Sequence, residues 1–329
     1  MPIPKEILYL TEEDIRQTLT VAEAVNLAEK GIKADAAGQV NGDKFYMNVN
    51  DDGFIKPFSG YMAGEEYAFV KTFSYFPINP KKYNRPTTSS MVILFDYETG
   101  LPACIMSANR VTGLKTAAST TVTTAYLARP ESETVTIFGA GTLGRLHLRA
   151  LAERFDLKQA FYVDIVPEAA ESCAAELEPE LGFSVEAVSL DERERAVRKS
   201  DIIFTVTTGS QELVRLDWLK PGTFIARLGS YQEVALNVIT EADKVIFDRW
   251  KYVSPRIPEV IQLVEEGRFS REHVHAEWPD IVAGKAPGRE SPDEIIIYIA
   301  LGIWGEYAAI LPAVYRRAQE MGLGQTIHS

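Results

Sequence analysis

The chain has 329 residues, a length that suits one large domain or two of ordinary size and excludes a mini-protein. Hydrophobic residues make up 46% and charged residues 24%, near the globular average, so the chain can bury a sizeable core and disorder is not expected. The formal net charge of −12 argues against nucleic acid or an anionic membrane as the main partner, and any anionic ligand must meet a local cluster of positive charge.

The two cysteines, Cys104 and Cys173, have no CxxC spacing, and His147, His273, His275 and His328 form no metal-ligand pattern with them. A reducing compartment and no structural zinc are expected. The first residues, MPIPKEILYLTEEDI, are acidic where a signal peptide needs a long apolar core, which predicts a cytoplasmic protein. Only the stretch 295–315 has the length of a membrane span, and Gly302, Gly305, Glu306 and Pro312 interrupt it. It reads as a buried or interface helix.

In chain order, residues 11–37 begin with TEEDI and carry Val21, Ala24, Leu27 and Ile32 at helical spacing, which predicts two short amphipathic helices. Up to about Pro102, the segments FYMNV, YAFVKTFSYF and SSMVILFDYETG are aromatic and β-branched, with Gly, Pro, Asn and Asp between them. They read as antiparallel strands, making this part a mixed α+β unit. From about Thr116, TAASTTVTTAYLAR is helix-like with small side chains, and strands then alternate with helices: TVTIF, AFYVD, DIIFTV, TFIARL and KVIFD. Such alternation predicts a parallel, doubly wound sheet. The stretch from about Ser291 to Gly324 reads as helical and returns to the first domain.

Gly139, Gly141 and Gly144 spell GxGxxG, enclosing Thr142 and Leu143, directly after the strand TVTIF and at the start of a helix. That context makes the pattern a dinucleotide fingerprint: the glycines permit a tight turn, backbone approach to the pyrophosphate and close helix packing, and the helix N-terminus attracts phosphate. Asp164 ends the next strand twenty positions after Gly144, where its carboxylate can accept from a ribose 2′-OH and repel a 2′-phosphate. With Ile165 rather than Arg following it, NAD(H) is favoured over NADP(H). FAD or a nucleoside methyl donor is the competing ligand, disfavoured because the fingerprint lies in mid-chain. Thr205, Thr207, Thr208, Gly209 and Ser210 form a second polar strand end, either beside ribose or nicotinamide or as a plain loop.

Several segments together resemble the ornithine cyclodeaminase and μ-crystallin family over almost the full chain. They are FVKTFSYFPINP, DYETGLPA, VTGLKTAAS, IFGAGTLGRLHLRAL, SDIIFTVTTGS, LKPGTFIARLG, ADKVIFD and IVAGKAPGRESPDE. The resemblance implies a homodimer with two domains. Residues 1–115, completed by 294–329, would bind substrate and dimerise; residues 116–293 would form the Rossmann domain, with NAD(H) between the two. It also implies that Lys71, in FVKTF, contacts substrate and moves a proton, and that Lys44 and Lys115 stand where the family has arginines for the substrate carboxylate. Lysine supplies the charge without the bidentate fork. Thr116 would begin its helix and offer hydroxyl and N–H to the pyrophosphate.

One departure lies after TFIARLG, where family cyclodeaminases carry a catalytic Asp in a longer loop. Here Gly229, Ser230, Tyr231 and Gln232 lead directly to Glu233. Tyr231 is the candidate substitute proton donor, or else a stacked loop tyrosine. Gly229 would border the cofactor, and Arg227 either holds a second acid group of the substrate or pairs with a neighbouring carboxylate. The expected activity is NAD(H)-dependent interconversion of a small α-amino acid and its imino or 2-oxo acid. A cyclodeaminase that recycles NAD within one turnover and a non-enzymatic ligand-binding protein are the alternatives.

Overall fold

The computed structural model describes residues 6–50 and 53–328. Its strands are β1 (Glu6–Leu10), β2 (Val40–Lys44), β3 (Met47–Asn48), β4 (Phe54–Met62), β5 (Tyr67–Tyr75), β6 (Thr88–Asp96) and β7 (Pro102–Ser107). There follow β8 (Thr134–Phe138), β9 (Gln159–Val163), β10 (Ser184–Val188), β11 (Ile202–Thr205), β12 (Phe224–Arg227), β13 (Lys244–Phe247), β14 (Ala276–Glu277), β15 (Ile296–Ile299) and β16 (Gln325–His328). The chain divides into two compact units, Met1–Ser119 with Trp304–Ser329, and Thr120–Ile303.

In the first unit the strands run in the order β16-β1-β7-β6-β5-β4-β2, with β3 added on β4. Neighbours from β2 to β7 pair antiparallel, as expected, whereas β1 lies parallel to β7. The two early helices are present as Glu12–Arg16 and Val21–Ala36, each started by a capping box, Thr11 with Asp14 and Thr20 with Glu23. Helix Val21–Ala36 packs along helix Gly305–Met321. Strand alternation sets the two faces of β5: Phe69 and Lys71 are buried, while Val70 and Thr72 face outward with Met91 of β6.

The second unit is an all-parallel sheet in the order β10-β9-β8-β11-β12-β15-β13-β14. Residues such as Ile137, Ile203, Phe204, Ile225, Phe247 and Ile297 are fully buried, as strands covered on both faces require. The order reverses at β8, where the chain crosses to β9 on one side and later to β11 on the other, creating a crevice at the carboxyl ends. This is the doubly wound Rossmann-type sheet that the alternation predicts, and the first unit is the expected α+β unit.

Two boundaries differ from expectation. Residues 294–303 do not belong with the closing helix: β15 sits between β12 and β13 in the second unit. The run EIIIYIA is apolar without interruption, and such a run fits a buried strand as well as a helix until its neighbours are known. The other boundary falls at Ser119 and Thr120, within the continuous helix Asn109–Leu127, rather than after residue 115. No helix among the described residues is long and apolar enough to cross a membrane.

Candidate active site

Three lysines are buried in the first unit, each less than a tenth exposed: Lys44 at the end of β2, Lys71 in β5 and Lys115 in helix Asn109–Leu127. Aromatic rings surround them. Lys71 Nζ lies 5.2 Å and Lys115 Nζ 5.0 Å from the centroid of the Tyr307 ring, so one aromatic platform serves both ammonium groups. Phe73 lies 5.1 Å from Lys71 Nζ, and Lys44 Nζ lies 5.7 Å from Phe58 and 6.0 Å from Trp304.

Their polar partners differ. Lys115 Nζ is 3.2 Å from Glu306 Oε1, which also accepts a 2.6 Å hydrogen bond from Ser119 Oγ. Lys71 Nζ donates to Ser90 Oγ across the β5–β6 pair at 3.3 Å, and no carboxylate among the described residues pairs with it. Burial and the neighbouring Lys115 charge push Lys71 down to about 7. A lysine that changes between ammonium and amine near neutrality, beside a second cation, can exchange a proton with a bound nitrogen and attract a carboxylate.

The glycine turn occupies the crevice end of β8 in the second unit. Gly139 has φ +105°, a conformation that disfavours any side chain, and a Cβ on Gly144 would lie 2.0 Å from the Gly139 carbonyl oxygen. Helix Thr142–Ala152 begins there with Gly141 as its N-cap, no side chain bonding its first N–H groups, and open space where a Gly141 Cβ would stand. Asp164, following β9, holds the turn: Oδ2 accepts from Ala140 N–H at 2.7 Å and Oδ1 from Val166 N–H at 2.9 Å. A carboxylate retains acceptor capacity beyond two such bonds, enough for a ribose hydroxyl. Beside it Ile165 is 72% exposed, an apolar surface next to that carboxylate. Leu143 contributes its carbonyl, bonded to His147 Nδ1 at 2.8 Å; burial pushes that imidazole down to about 4, so it stays neutral. The open helix start, the close backbone and the positioned acid fit a dinucleotide.

At the ends of β11 and β12 the polar residues close on one another. The buried Glu233 accepts from Thr205 Oγ1 (2.7 Å), Thr207 Oγ1 (2.7 Å), Thr207 N–H (2.9 Å) and Gly229 N–H (2.9 Å). Arg227, with no exposed surface, forms an ion pair with Glu259 at 2.9 Å and donates to the carbonyls of Gly229 and Tyr231. Glu259 Oε1 in turn accepts from Glu233 N–H at 2.8 Å.

Two expectations are corrected, the ligand role of Arg227 and the helix start at Thr116. Arg227 takes the second of its two alternatives: it pairs with Glu259 and donates to two backbone carbonyls in the core, and so is not presented to a second acid group of a substrate. Thr205 and Thr207 donate their hydroxyl protons to Glu233, and Gly229 donates its N–H there, so these donors already have a partner at the strand ends. Thr116 does not begin its helix, which starts at Asn109, and its hydroxyl donates to the Thr112 carbonyl at 2.8 Å. The start is fixed by Glu12, whose carboxylate accepts from Asn109 N–H (2.9 Å) and Arg110 N–H (2.8 Å). Tyr231 is half-buried on the turn before Glu233.

Residue-level reading missed Glu306 and Tyr307 as parts of the lysine cluster, and Glu233 as the centre of the strand-end network. The available signal for Glu306 was its charge in an otherwise apolar stretch; for Glu233 there was none beyond a carboxylate near a polar loop.

The comparisons with known proteins agree with this geometry. The model of the ornithine cyclodeaminase/mu-crystallin family matches residues 5–322. An N-((2S)-2-amino-2-carboxyethyl)-L-glutamate dehydrogenase of Staphylococcus aureus is 32% identical over 257 residues, 76% of this chain and 74% of the relative. Among solved structures, Δ1-pyrroline-2-carboxylate reductase of Thermococcus litoralis, in complex with NADH and L-proline, superposes with a TM-score of 0.91 at 29% identity, covering 97% of this chain and 99% of that one. An archaeal alanine dehydrogenase dimer with bound NAD gives 0.90, also at 29% identity, over 98% and 99%. This chain belongs to the ornithine cyclodeaminase/mu-crystallin family.

Proposed function

We propose that the protein is an NAD(H)-dependent oxidoreductase that interconverts a small α-amino acid and its imino or 2-oxo acid. The observation that carries this reading is Lys71, a buried lysine on an aromatic platform with no anionic partner among the described residues, poised to change protonation near neutrality. NAD(H), when bound, supplies the hydride exchanged with the substrate α-carbon. Gly139, Gly141, Thr142, Leu143 and Gly144 would hold its pyrophosphate at the helix N-terminus, Asp164 the adenosine ribose, and Ile165 an apolar edge of the adenosine.

The chain's own chemistry lies with the lysines. Lys44 and Lys115 attract the substrate carboxylate, and Lys71 accepts a proton from the amino nitrogen during oxidation or returns one during reduction. Tyr231 remains the candidate for a second proton donor. The relatives support the reading: alanine dehydrogenase and pyrroline-2-carboxylate reductase act on such acids, and both solved neighbours hold the nicotinamide cofactor.

We propose a homodimer as well, supported by the dimer described for the archaeal relative and by the outward face of β5 and β6, where Val70 and Met91 are exposed. A cytoplasmic location suits the two buried free thiols, Cys104 and Cys173. The activity is tested by a screen of amino acids with NAD⁺ at 340 nm, and of 2-oxo acids with ammonium or methylamine under NADH. Net NADH formation from an amino acid supports a dehydrogenase, whereas loss of ammonia without net change in NADH would assign a cyclodeaminase instead.

A further inference from the structure

Glu306 opens the helix Gly305–Met321 and is 1% exposed. Its Oε1 is engaged by Ser119 and Lys115, but Oε2 is buried with no hydrogen-bond partner among the described residues. Leaving a buried acceptor without a donor is unfavourable, so fold stability alone does not account for this atom. Holding Lys115 does not account for it either, because Oε1 alone makes that contact. The free oxygen belongs to a carboxylate that touches one lysine of the cluster, and that lysine shares the Tyr307 ring with Lys71.

An α-amino acid brings two opposite charges into this environment. Its carboxylate is matched by ammonium groups. Its nitrogen is cationic, both as an ammonium and as the iminium of the oxidised form, and lysines alone would repel it. A carboxylate with one oxygen held by the cluster and the other open is the complementary group. We propose that Glu306 is the acceptor for the substrate nitrogen, receiving an N–H hydrogen bond on Oε2 while Oε1 keeps Lys115 and Ser119 in place. This rests on the amino-acid or imino-acid reading of the site. It assigns Glu306 the discrimination between acids that carry an α-nitrogen and acids of the same shape that do not.

The test compares ligand pairs that differ at the nitrogen: L-alanine with propionate, L-proline with tetrahydrofuran-2-carboxylate, and L-glutamate with glutarate. Binding to the NADH-loaded protein is measured by titration calorimetry, with NADH affinity and thermal stability as controls for folding. In Glu306→Gln the nitrogen-bearing member of a pair loses about tenfold or more in affinity, as for a lost hydrogen bond to a charged group, while its partner changes by less than about threefold. Glu306→Asp keeps the charge and shortens the reach, and gives the same selective loss in smaller measure; it carries the test if the Gln variant does not fold. Equal losses for both members of a pair would show that Glu306 acts only through Lys115 and overturn the proposal, as would no loss for either. If the wild type binds NADH but none of the three amino acids, the functional reading fails and the proposal with it.

Discussion

Two buried polar clusters, one in each unit, differ in whether they close on themselves. Around Glu233, Arg227 and Glu259 the charged oxygens are met by hydroxyls, backbone N–H groups or the guanidinium, all from the same unit. Around Lys71 and Glu306 the network stops short: among the described residues an ammonium lacks an anion and a carboxylate oxygen lacks a donor. A satisfied network shapes a wall, and one left open awaits a ligand. Arg227 is more buried than Lys71, so burial alone does not identify a functional charge. What sets Lys71 apart is that no carboxylate among the described residues meets it.

The comparison can be broken by stability measurements. Removing one member of a closed pair strands the other, so Arg227→Met should cost about 3–5 kcal/mol, because Glu259 stays buried without its cation. Lys71→Met should show no loss of stability, since it removes a buried charge that the fold does not neutralise. Urea denaturation of the two variants beside the wild type decides: similar losses would erase the distinction.

Activity should show the opposite ranking. Lys71→Met should lower kcat/KM at least about a hundredfold, the effect of losing a positioned general acid or base, while NADH affinity measured by fluorescence stays at the wild-type value. Activity within threefold of wild type would remove Lys71 from the mechanism and leave Tyr231 as the next candidate.

How much of this was legible in the sequence depended on the range of each signal. The glycine turn, Asp164 and the alternating strands are local patterns, and the structure places them as expected. Period-two alternation puts Lys71 on one face of β5 with Phe69 but does not say which face is buried; the packing of the unit decides that. What failed was set at long range. The helix containing Thr116 is capped by Glu12, about one hundred residues earlier, and no local residue announces that start. The strand β15 lay in an apolar run whose type only its neighbours β12 and β13 decide. For Arg227 the sequence leaves a ligand role and a carboxylate partner both open, because that partner, Glu259, lies thirty-two residues away. Glu306 meets Ser119 across 187 residues of chain.

A smaller effect sharpens the assignment of the second unit's open feature. Asp164→Ala should weaken NADH binding and improve the relative use of NADPH, since the carboxylate both accepts from the 2′-OH and repels a phosphate. The same carboxylate bonds Ala140 and Val166, so Asp164→Asn, which keeps an acceptor without the charge, separates repulsion from turn geometry. An unchanged NADPH to NADH ratio in both variants would withdraw the preference for NAD.

The central claim is that Lys71 changes protonation near neutrality and handles the substrate's proton, and its most direct test is the pH dependence of kcat/KM. Burial lowers this lysine to about 7, so the free enzyme carries the ammonium below that pH and the amine above it. Oxidation of the amino acid needs the amine as base. Its kcat/KM should therefore rise through about pH 7 to a plateau, and reduction of the imino acid should fall through the same range. In Lys71→Met the residual rate should lose that limb in both directions. A wild-type profile with no limb near pH 7, or one retained in Lys71→Met, would contradict the account.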